Sequence, residues 1–487
     1  MIRQINVTLA AFLAAALAAC TLEPDYQRPD PAVPPLAAAQ GPVATDIGWR
    51  EFFTDPQLQQ LIALALANNR DLRVAALNVE TAQQEYRIQR ADLFPSVAAS
   101  GTEQVERYPG SIIAAESGGA AAAAGVTPGG VIERTYNVGV GFTSYEIDFF
   151  GRIRSLNHAA LQQYFAARET QRSAQLTLVA EVATAYVTLL SDQTLLDITR
   201  DTLKSQSDSY ELTRKLFAGG DTTQLALRQA ESTVDTARAD LALYTRQLVQ
   251  DRDALQLLLG TTLPDSLDLG GGLDRGAPVA ELQEGIPSDV LVRRPDILAS
   301  EHQLQAANAD IGAARAAFFP AISLTGNFGT ASTQLSGLFK GGSEAWTFQP
   351  TISVPLFTGG ANIASLRAAK VARETAVAQY QKAIQSAFRE VADALVARGT
   401  LDDQLAAQQA LVVASKDAYR LADMRFRGGV DNYLSVLDAE RTLFTAQQQL
   451  AGVRLSRLEN LVTLYKALGG GLAEHSAPPP AAAGNSG

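Results

Sequence analysis

The chain has 487 residues, of which 47% are hydrophobic, and its formal net charge is -11 at pH 7. This acidic balance argues against a nucleic-acid partner, because proteins that bind nucleic acids carry a basic patch for the phosphates. The length allows two or three domains or one elongated body. After residue 20 no continuous apolar stretch approaches the ~20 residues of a membrane-spanning helix, so any membrane span is expected to come from β-strands.

Residues 1–19 have the pattern of a bacterial export signal. The stretch 7–19 is almost entirely apolar but too short to span a bilayer. It ends in small residues before Cys20, the only cysteine, and this ending resembles a lipobox. A lone cysteine has no disulfide partner, which favours lipidation of Cys20 over a plain signal peptide with an incidental cysteine. Thr21, rather than an aspartate, favours sorting to the outer membrane, and residues 20–50 are predicted to be a lipidated N-terminal tether.

Residues 51–260 are predicted to form a first structural repeat that opens with helices and a β-hairpin. The segment Pro56–Asp92 has apolar residues at helical spacing, and Pro95 ends that pattern. Thr135–Phe149 then alternates apolar residues with glycine or polar residues. That alternation is typical of a transmembrane strand with one lipid face and one wet face. We therefore predict a β-hairpin at about 96–149.

The rest of this repeat is predicted to be a long helical hairpin over residues 152–259. No proline or glycine occurs between Arg152 and Phe217, and the apolar residues step by 3 and 4, as in a coiled coil. The Gly219-Gly220 pair ends the first helix by supplying a positive φ. Asp221 and Thr222 are expected to cap the returning helix.

Residues 288–470 repeat this order, with a β-hairpin at about 321–357 and a helical hairpin at 362–468 that turns at Gly428-Gly429. The sequence itself shows the duplication, because Phe-Ala-Gly-Gly at 217–220 is repeated as Phe-Arg-Gly-Gly at 426–429. The segment 261–287 is predicted to be a linker or equatorial segment, and 471–487 a disordered tail.

The predicted strands have a consequence for oligomeric state. Each chain offers four membrane-type strands, whereas the smallest outer-membrane barrels have eight. An open sheet edge in lipid leaves backbone groups unpaired, so several copies must close the barrel together. Three copies would give twelve strands, and the sequence alone also allows two or four.

Several motifs, taken in order, resemble those of the outer-membrane factor family of tripartite efflux pumps, the TolC-like proteins. The resemblance is greatest to lipoprotein members that serve resistance-nodulation-division (RND) transporters. The motifs are Cys20-Thr-Leu-Glu-Pro-Asp-Tyr-Gln-Arg-Pro, Trp49-Arg-Glu-Phe-Phe-Thr-Asp-Pro-Gln-Leu, Tyr145-Glu-Ile-Asp-Phe-Phe-Gly-Arg, Arg293-Arg-Pro-Asp-Ile, Val354-Pro-Leu-Phe-Thr-Gly-Gly and the run from Arg420 to Gln447.

The resemblance implies an α+β membrane protein, internally duplicated, in which a long antiparallel α-helical coiled-coil barrel adjoins a transmembrane β-barrel. It implies a homotrimer in the outer membrane of a Gram-negative bacterium, anchored by lipid and extending into the periplasm. Such a channel is passive and gated at its periplasmic tip. A periplasmic adaptor (membrane fusion) protein and an inner-membrane RND-type transporter open it, so that it serves as the exit duct of multidrug efflux.

The resemblance also implies the position of the gate. Leu434, Asp438 and Arg441 are spaced at i, i+4 and i+7, so they share one helix face beside the second turn. In the family, matching positions form an apolar ring, an acidic ring and its basic partners. By residue pattern alone, an exposed Asp–Arg pair worth only ~0.3–0.5 kcal/mol is the simpler interpretation. The first-repeat counterparts lack the charges: they are Leu225, Gln229 and Ser232.

The two Gly-Gly turns, at Gly219, Gly220, Gly428 and Gly429, are predicted adaptor-docking points, because small residues let another backbone approach closely. Arg425 and Arg427 flank the second turn and are candidates to pair with adaptor carboxylates. A solvated charged surface and a simple helix cap are the alternative interpretations.

The sequence contains no constellation typical of an enzyme. His158, His302 and His475 are isolated, and no phosphate-binding loop, dinucleotide fingerprint or GxSxG motif occurs. We expect no catalytic activity, metal or cofactor apart from the lipid on Cys20. Two alternatives remain: the outer-membrane duct of a type I protein secretion system, and a structural coiled-coil lipoprotein. The second leaves the alternating strands unexplained.

Overall fold

The computed structural model describes residues 21–30, 33, 47–109, 130–275, 279–280 and 293–476. The predicted signal peptide, the lipidation site Cys20 and residues 477–487 of the predicted tail lie outside the described residues.

Long helices and one antiparallel sheet make up most of the described chain. In order, the elements are α1 (Trp49–Phe52), α2 (Pro56–Asn68), α3 (Arg70–Ala91), β1 (Val97–Tyr108), β2 (Val131–Ile147), α4 (Arg152–Gly219), α5 (Gln224–Leu259), α6 (Pro295–Ala316), β3 (Ala321–Ser332), β4 (Glu344–Ser353), α7 (Ala361–Arg427) and α8 (Tyr433–Ala467). Short 3-10 helices occupy Gly272–Arg275 and Leu335–Gly337.

The four strands form a single sheet in the order β1-β2-β3-β4, with each neighbouring pair antiparallel. Its central pair, β2 and β3, joins the two predicted repeats. Gly139 lies opposite Gly329 in this pair. A Cβ atom added to Gly329 would lie 2.1 Å from the carbonyl oxygen of Val138, so the close approach of the two strands requires glycine there.

Exposed apolar side chains share one face of this sheet. Val138 and Val140 of β2 are exposed, whereas Gly139 between them is buried. Phe328 on β3 and Trp346 on β4, which are register partners, are 66% and 75% exposed. An exposed apolar sheet face of this kind is what contact with lipid requires.

Contacts divide the chain into two compact units. Unit 1 comprises residues 1–28, 80–165 and 302–377 and contains the sheet; unit 2 comprises residues 29–79, 166–301 and 378–487. Each unit therefore takes segments from both predicted repeats.

Unit 2 has the larger hydrophobic core. The ring of Tyr465 stacks on Phe52 at a centroid distance of 3.9 Å, and its hydroxyl donates to the carbonyl oxygen of Ile47 at 2.7 Å. Helix α4 contains one window that is long and apolar enough to cross a membrane by length and composition, but 56% of that window is buried. A core helix meets the same test, so this window is weak evidence for a membrane span.

The helical pattern predicted for Pro56–Asp92 is interrupted at Asn69, which has an extended ψ of 133°. The side-chain oxygen of Asn69 accepts a hydrogen bond from the backbone N–H of Leu72, and its amide donates to the carbonyl oxygen of Leu258. The side chain thus caps α3 and holds it against the end of α5, which is why one helical pattern gives two helices.

Parts of the predicted tail and linker are held by α1. The backbone N–H of Trp49 donates to the carbonyl oxygen of Ala473 at 3.0 Å, and Gly48 donates to the Ser476 hydroxyl. Residues 473–476 are therefore bound rather than disordered, which corrects that part of the prediction. In the predicted linker, Val279 pairs with Phe53.

Candidate functional site

The two Gly-Gly turns have the same local geometry. Gly220 and Gly429 have φ values of 84° and 73°, and a Cβ atom added to either would meet nothing within 4 Å. Glycine is therefore required there by the left-handed backbone and not by lack of space. The turns close by Schellman bonds: Asp221 N–H donates to Leu216 O, and Val430 N–H donates to Arg425 O.

The helices that follow the turns begin differently from each other and from the prediction. Thr223, and not Asp221 or Thr222, is the N-cap of α5, and its hydroxyl accepts a hydrogen bond from the Ala226 N–H. Asn432 is the N-cap of α8 but makes no side-chain capping bond. The Schellman turn uses Asp221 as its last residue, which moves the cap further along the chain.

The two arginines beside the second turn have partners within the chain. The guanidinium of Arg425 forms two hydrogen bonds to the Asp431 carboxylate, at 2.6 and 3.1 Å. Arg427 pairs with Asp423, one helical turn earlier, at 2.8 Å. The Asp431 carboxylate raises the pKa of Arg425, whose guanidinium in turn lowers the pKa of Asp431. Each charge predicted to meet an adaptor carboxylate is thus already matched across or next to the turn.

The predicted gate residues lie on the exposed face of α8. Leu434 is 47% exposed, and Asp438 and Arg441 are also exposed. In the described part of the chain, Asp438 and Arg441 form no ion pair with each other, so the partnership inferred for them is not made within one chain. Leu225, the first-repeat counterpart of Leu434, is 68% exposed.

A groove of about 700 Å³ lies between the two turns. Leu216 and Leu225 contribute apolar surface from one helical hairpin, and Phe426 and Leu434 contribute it from the other. Leu434 of the predicted gate and Gly429 of the second turn thus line one groove with Asp221 and Thr222, which follow the first turn; we call it the tip groove.

Behind this groove the four long helices pack around a small core. Its buried residues are Ala230 from α5 and Tyr433, Val436 and Leu437 from α8. Burial raises the pKa of the Tyr433 hydroxyl to about 12, and the charge of Glu440 acts in the same direction. The opposite faces of α8 thus have opposite characters, one facing solvent and one closely packed.

Sequence reasoning missed one residue of this region. Glu440 is only 4% exposed, and neither of its carboxylate oxygens has a hydrogen-bond partner among the described residues. Burial raises its pKa to about 7, and the Asp423 carboxylate adds to the rise. Its spacing was the available signal: Tyr433, Val436, Leu437 and Glu440 follow one another at 3, 1 and 3 residues, so Glu440 continues the apolar stripe.

The segment next to the predicted lipidation site is held against α4 and α6 within unit 1. The Arg315 guanidinium donates to the carbonyl oxygen of Leu22 at 3.0 Å, and Asn308 donates to that of Pro24 at 2.7 Å. The Glu23 carboxylate bonds His158, which raises the pKa of that imidazole. Gly312 makes the approach feasible, because a Cβ atom there would lie 2.9 Å from the Cα of Glu23.

The histidines contact side chains rather than converging on a metal site. His158 and His302 both contact the amide of Gln162, and His475 contacts Glu51. Within the described ranges, no group of three histidine, cysteine, aspartate or glutamate side chains is arranged to hold a metal ion.

Comparison with known proteins identifies the family. The family model described as outer membrane efflux protein matches residues 61–261 and 286–470. The chain is 46% identical over 485 residues to the probable efflux pump outer membrane protein TtgC of Pseudomonas putida, covering 97% of this chain and 96% of that protein. It is 42% identical over 468 residues to the outer membrane protein OprJ of Pseudomonas aeruginosa, covering 95% of each.

Solved structures agree with this. The open state of the MtrE outer membrane channel of Neisseria gonorrhoeae matches with a TM-score of 0.84 and 40% identity, covering 94% of this chain and 100% of that chain. The channel CusC matches with a TM-score of 0.81 and 38% identity, covering 93% and 100%. The α+β outer-membrane channel fold expected from the sequence is therefore confirmed. The chain belongs to the outer membrane efflux protein family and is the outer-membrane exit channel of an efflux pump.

Proposed function

We propose that three copies of this chain form a passive, gated duct that a periplasmic adaptor and an inner-membrane RND-type transporter open. The sheet supports the need for several copies. Strands β1 and β4 each have only one partner in the described chain, so both are edges. Edges cannot remain open in lipid, and three four-stranded sheets would close a barrel of about twelve strands.

The gate is proposed at Leu434, Asp438 and Arg441. The observation that carries this proposal is that these side chains are exposed on a helix whose other face is closely packed. Around a threefold axis, an exposed leucine from each copy would narrow and dewet the pore. Asp438 and Arg441 form no ion pair among the described residues, and we propose that they pair between neighbouring copies.

The Gly-Gly turns, at Gly219, Gly220, Gly428 and Gly429, are proposed to receive the adaptor. Gly429 and the residues that follow the first turn, Asp221 and Thr222, line the tip groove, whose apolar lining is open to a partner in a single chain. Because Arg425 and Arg427 are paired internally, we propose that the adaptor recognises apolar surface and exposed backbone there rather than these charges.

Anchoring and cargo complete the proposal. Cys20 is proposed to carry the lipid, and the bound segment after it, Leu22–Pro24, would hold the anchor beside unit 1. Relatives are named for the efflux of toluene, solvents and antibiotics. By similarity we propose small organic compounds of that kind as cargo, with energy supplied by the transporter.

Single-channel conductance in a planar bilayer tests the gate. The test variant replaces Leu434, Asp438 and Arg441 by alanine, and the matched control replaces the first-repeat counterparts Leu225, Gln229 and Ser232 by alanine. We expect low conductance from the wild type, a several-fold increase in the test variant and little change in the control.

Three results would count against parts of this proposal. Equal increases in both variants would place the constriction elsewhere or in both repeats. A wide-open wild type would remove the resting gate but keep the channel. Absence of conductance from every folded preparation would count against a duct that conducts without its partners.

A further inference from the structure

Glu440 differs from its counterpart in the first repeat in a way that the duplicated sequence does not show. Aligning Leu225 with Leu434 aligns Glu231 with Glu440. The Glu231 side chain is 39% exposed and pairs with Arg228 on the same helix. Glu440 is 4% exposed and has no hydrogen-bond partner in the part of the chain that the structure describes. One acid is thus an ordinary surface ion-pair partner, and the other is enclosed.

Among the residues that the structure describes, no positively charged partner is available to Glu440. From α7, Tyr419 and Asp423 face it, and Asp423 is already paired with Arg427. From α4, the Ser205 hydroxyl lies close enough to lower the pKa of Glu440 in part, and it also shares a hydrogen bond of 2.8 Å with the Tyr419 hydroxyl.

The remaining groups near Glu440 do not compensate its charge either. Tyr210 of α4 and Ala230 of α5 belong to the same core, and neither carries a positive charge. On α8 itself, Tyr433 lies two turns before Glu440, and Arg441 is exposed. An ionised Glu440 would therefore be an enclosed, unpaired charge beside a second carboxylate, which is strongly disfavoured.

This enclosed acid is on the helix that carries the proposed gate. Val436 and Leu437, each 1% exposed, precede Glu440 and belong to the small core behind the tip groove. Leu434 and Asp438 lie on the exposed face of the same helix. Hydrating an ionised Glu440 requires the packed face of α8 to separate from α4 and α7. Any such movement must carry the exposed residues with it, because a helix turns and shifts as one body.

We propose that Glu440 is a proton-operated latch: the uncharged carboxyl keeps α8 packed and the tip closed, and its ionisation favours release of α8 and opening. This proposal rests on the gate proposed at Leu434, Asp438 and Arg441. Acidification is thereby expected to hold the resting channel shut, and neutral pH to lower the work that an adaptor must do to open it.

The direction and the pH window follow from proton linkage. In the packed state the pKa of Glu440 is about 7, against 4.5 for the ordinary carboxyl that the released state presents. The packed state therefore binds more protons than the released state. The stability that this gives the packed state is fully present below pH 4.5 and is lost as the pH rises through about 7. Between about pH 5 and about pH 7 the equilibrium for release should rise about tenfold per pH unit, and then level off.

The first experiment records channel open probability from about pH 5 to about pH 8 for the wild type, Glu440→Gln and the matched control Glu231→Gln. Glutamine has the shape of the protonated acid and cannot ionise. We expect opening to increase with pH in the wild type and in Glu231→Gln. Glu440→Gln should stay at the level that the wild type shows at the acid end.

A wild-type pH response that Glu440→Gln leaves intact would overturn the proposal, and so would the absence of any pH response in the wild type. If the alanine variant of the proposed gate still raises conductance in either case, the gate proposal stands although the latch proposal fails. An alanine variant with unchanged conductance would instead refute the gate and leave the latch to be judged by the second experiment.

The second experiment does not need a conducting channel. Hydrogen exchange of the α8 segment 433–446 is compared at several pH values, after correction for the intrinsic pH dependence of amide exchange. Protection should fall with rising pH in the wild type and in Glu231→Gln but not in Glu440→Gln. Identical pH profiles for all three proteins would refute the latch regardless of conductance.

Discussion

Arg294 provides a sharp test of how the helices of unit 2 are held together. Its side chain is 8% exposed and its guanidinium contacts three elements. It forms a forked pair with Asp296 at the start of α6, at 2.8 and 3.0 Å, and bonds Glu390 of α7 at 2.9 Å. Its remaining nitrogen donates to the carbonyl oxygen of Ala467, the last residue of α8, at 2.9 Å. Replacing Arg294 by alanine removes all of these bonds at once.

The free energy of unfolding that Arg294→Ala loses depends on the burial of the guanidinium and on the exposure of its partners. Hydrogen bonds to charged groups contribute about 1.5–3 kcal/mol each when buried. Asp296 and Glu390 are 39% and 49% exposed, so water screens both pairs, and about 1 kcal/mol for each is the appropriate scale. The carbonyl of Ala467 adds about 1 kcal/mol, because it loses its side-chain donor in a buried place. The expected loss for Arg294→Ala is about 3 kcal/mol.

Thermal unfolding of the detergent-purified protein, followed by its helical circular dichroism, measures this loss. Because the entropy of unfolding grows with chain length, a chain of 487 residues shifts its midpoint by about 1 °C per kcal/mol, and the midpoint of Arg294→Ala should fall by about 3 °C. Arg294→Lys should recover only part of it, because an ammonium cannot reproduce the fork to Asp296. The exposed neighbour Arg293→Ala is the control and should change little. Equal midpoints for the Arg294 and Arg293 alanine variants would refute the reasoning, as would full recovery by lysine.

Two further predictions concern the turns at the tip. Gly429→Ala should destabilise the protein by about 1 kcal/mol, because at a φ of 73° the alanine side chain crowds its own backbone. Its control, Gly399→Ala within α7, should be neutral or stabilising. A lower unfolding midpoint for Gly399→Ala than for Gly429→Ala would contradict this. Thr223→Ala should lower the free energy of unfolding by about 1 kcal/mol, because it removes the side-chain cap of α5. Asn432→Ala should lower it by less, because Asn432 makes no side-chain capping bond. Equal losses in the same unfolding assay would show that Thr223 does not stabilise the protein through its cap.

Local signals in the sequence predicted the long elements closely. Helix α4 begins at Arg152, as expected, and ends at Gly219 beside the predicted turn. This worked because a run without glycine or proline sustains a helix, and a glycine at positive φ ends it through the backbone of a few consecutive residues. The alternation in β2 was readable for the same reason, since a strand places successive side chains on opposite faces.

Predictions that depended on which groups the folded backbone brings into contact were less successful. Arg425 is a candidate in the sequence either to pair with an adaptor carboxylate or to lie on a solvated charged surface, and the fold pairs it with Asp431 across the turn. The cap of α5 was placed too early, because it depends on how many residues the Schellman turn consumes. The capping role of Asn69 depends partly on Leu258, which is 189 residues away.

The sequence by itself determined the duplicated order of helices, strands and turns, because glycine, proline and apolar periodicity act over a few neighbouring residues. Only the tertiary structure decided the fates of Glu231 and Glu440, which occupy the same place in the two repeats. Glu231 is partly exposed to solvent and pairs with Arg228, whereas Glu440 is enclosed by α4 and α7. The physical reason is that helical spacing fixes which residues share a face, but the environment of that face is set by packing against helices that are distant in the chain.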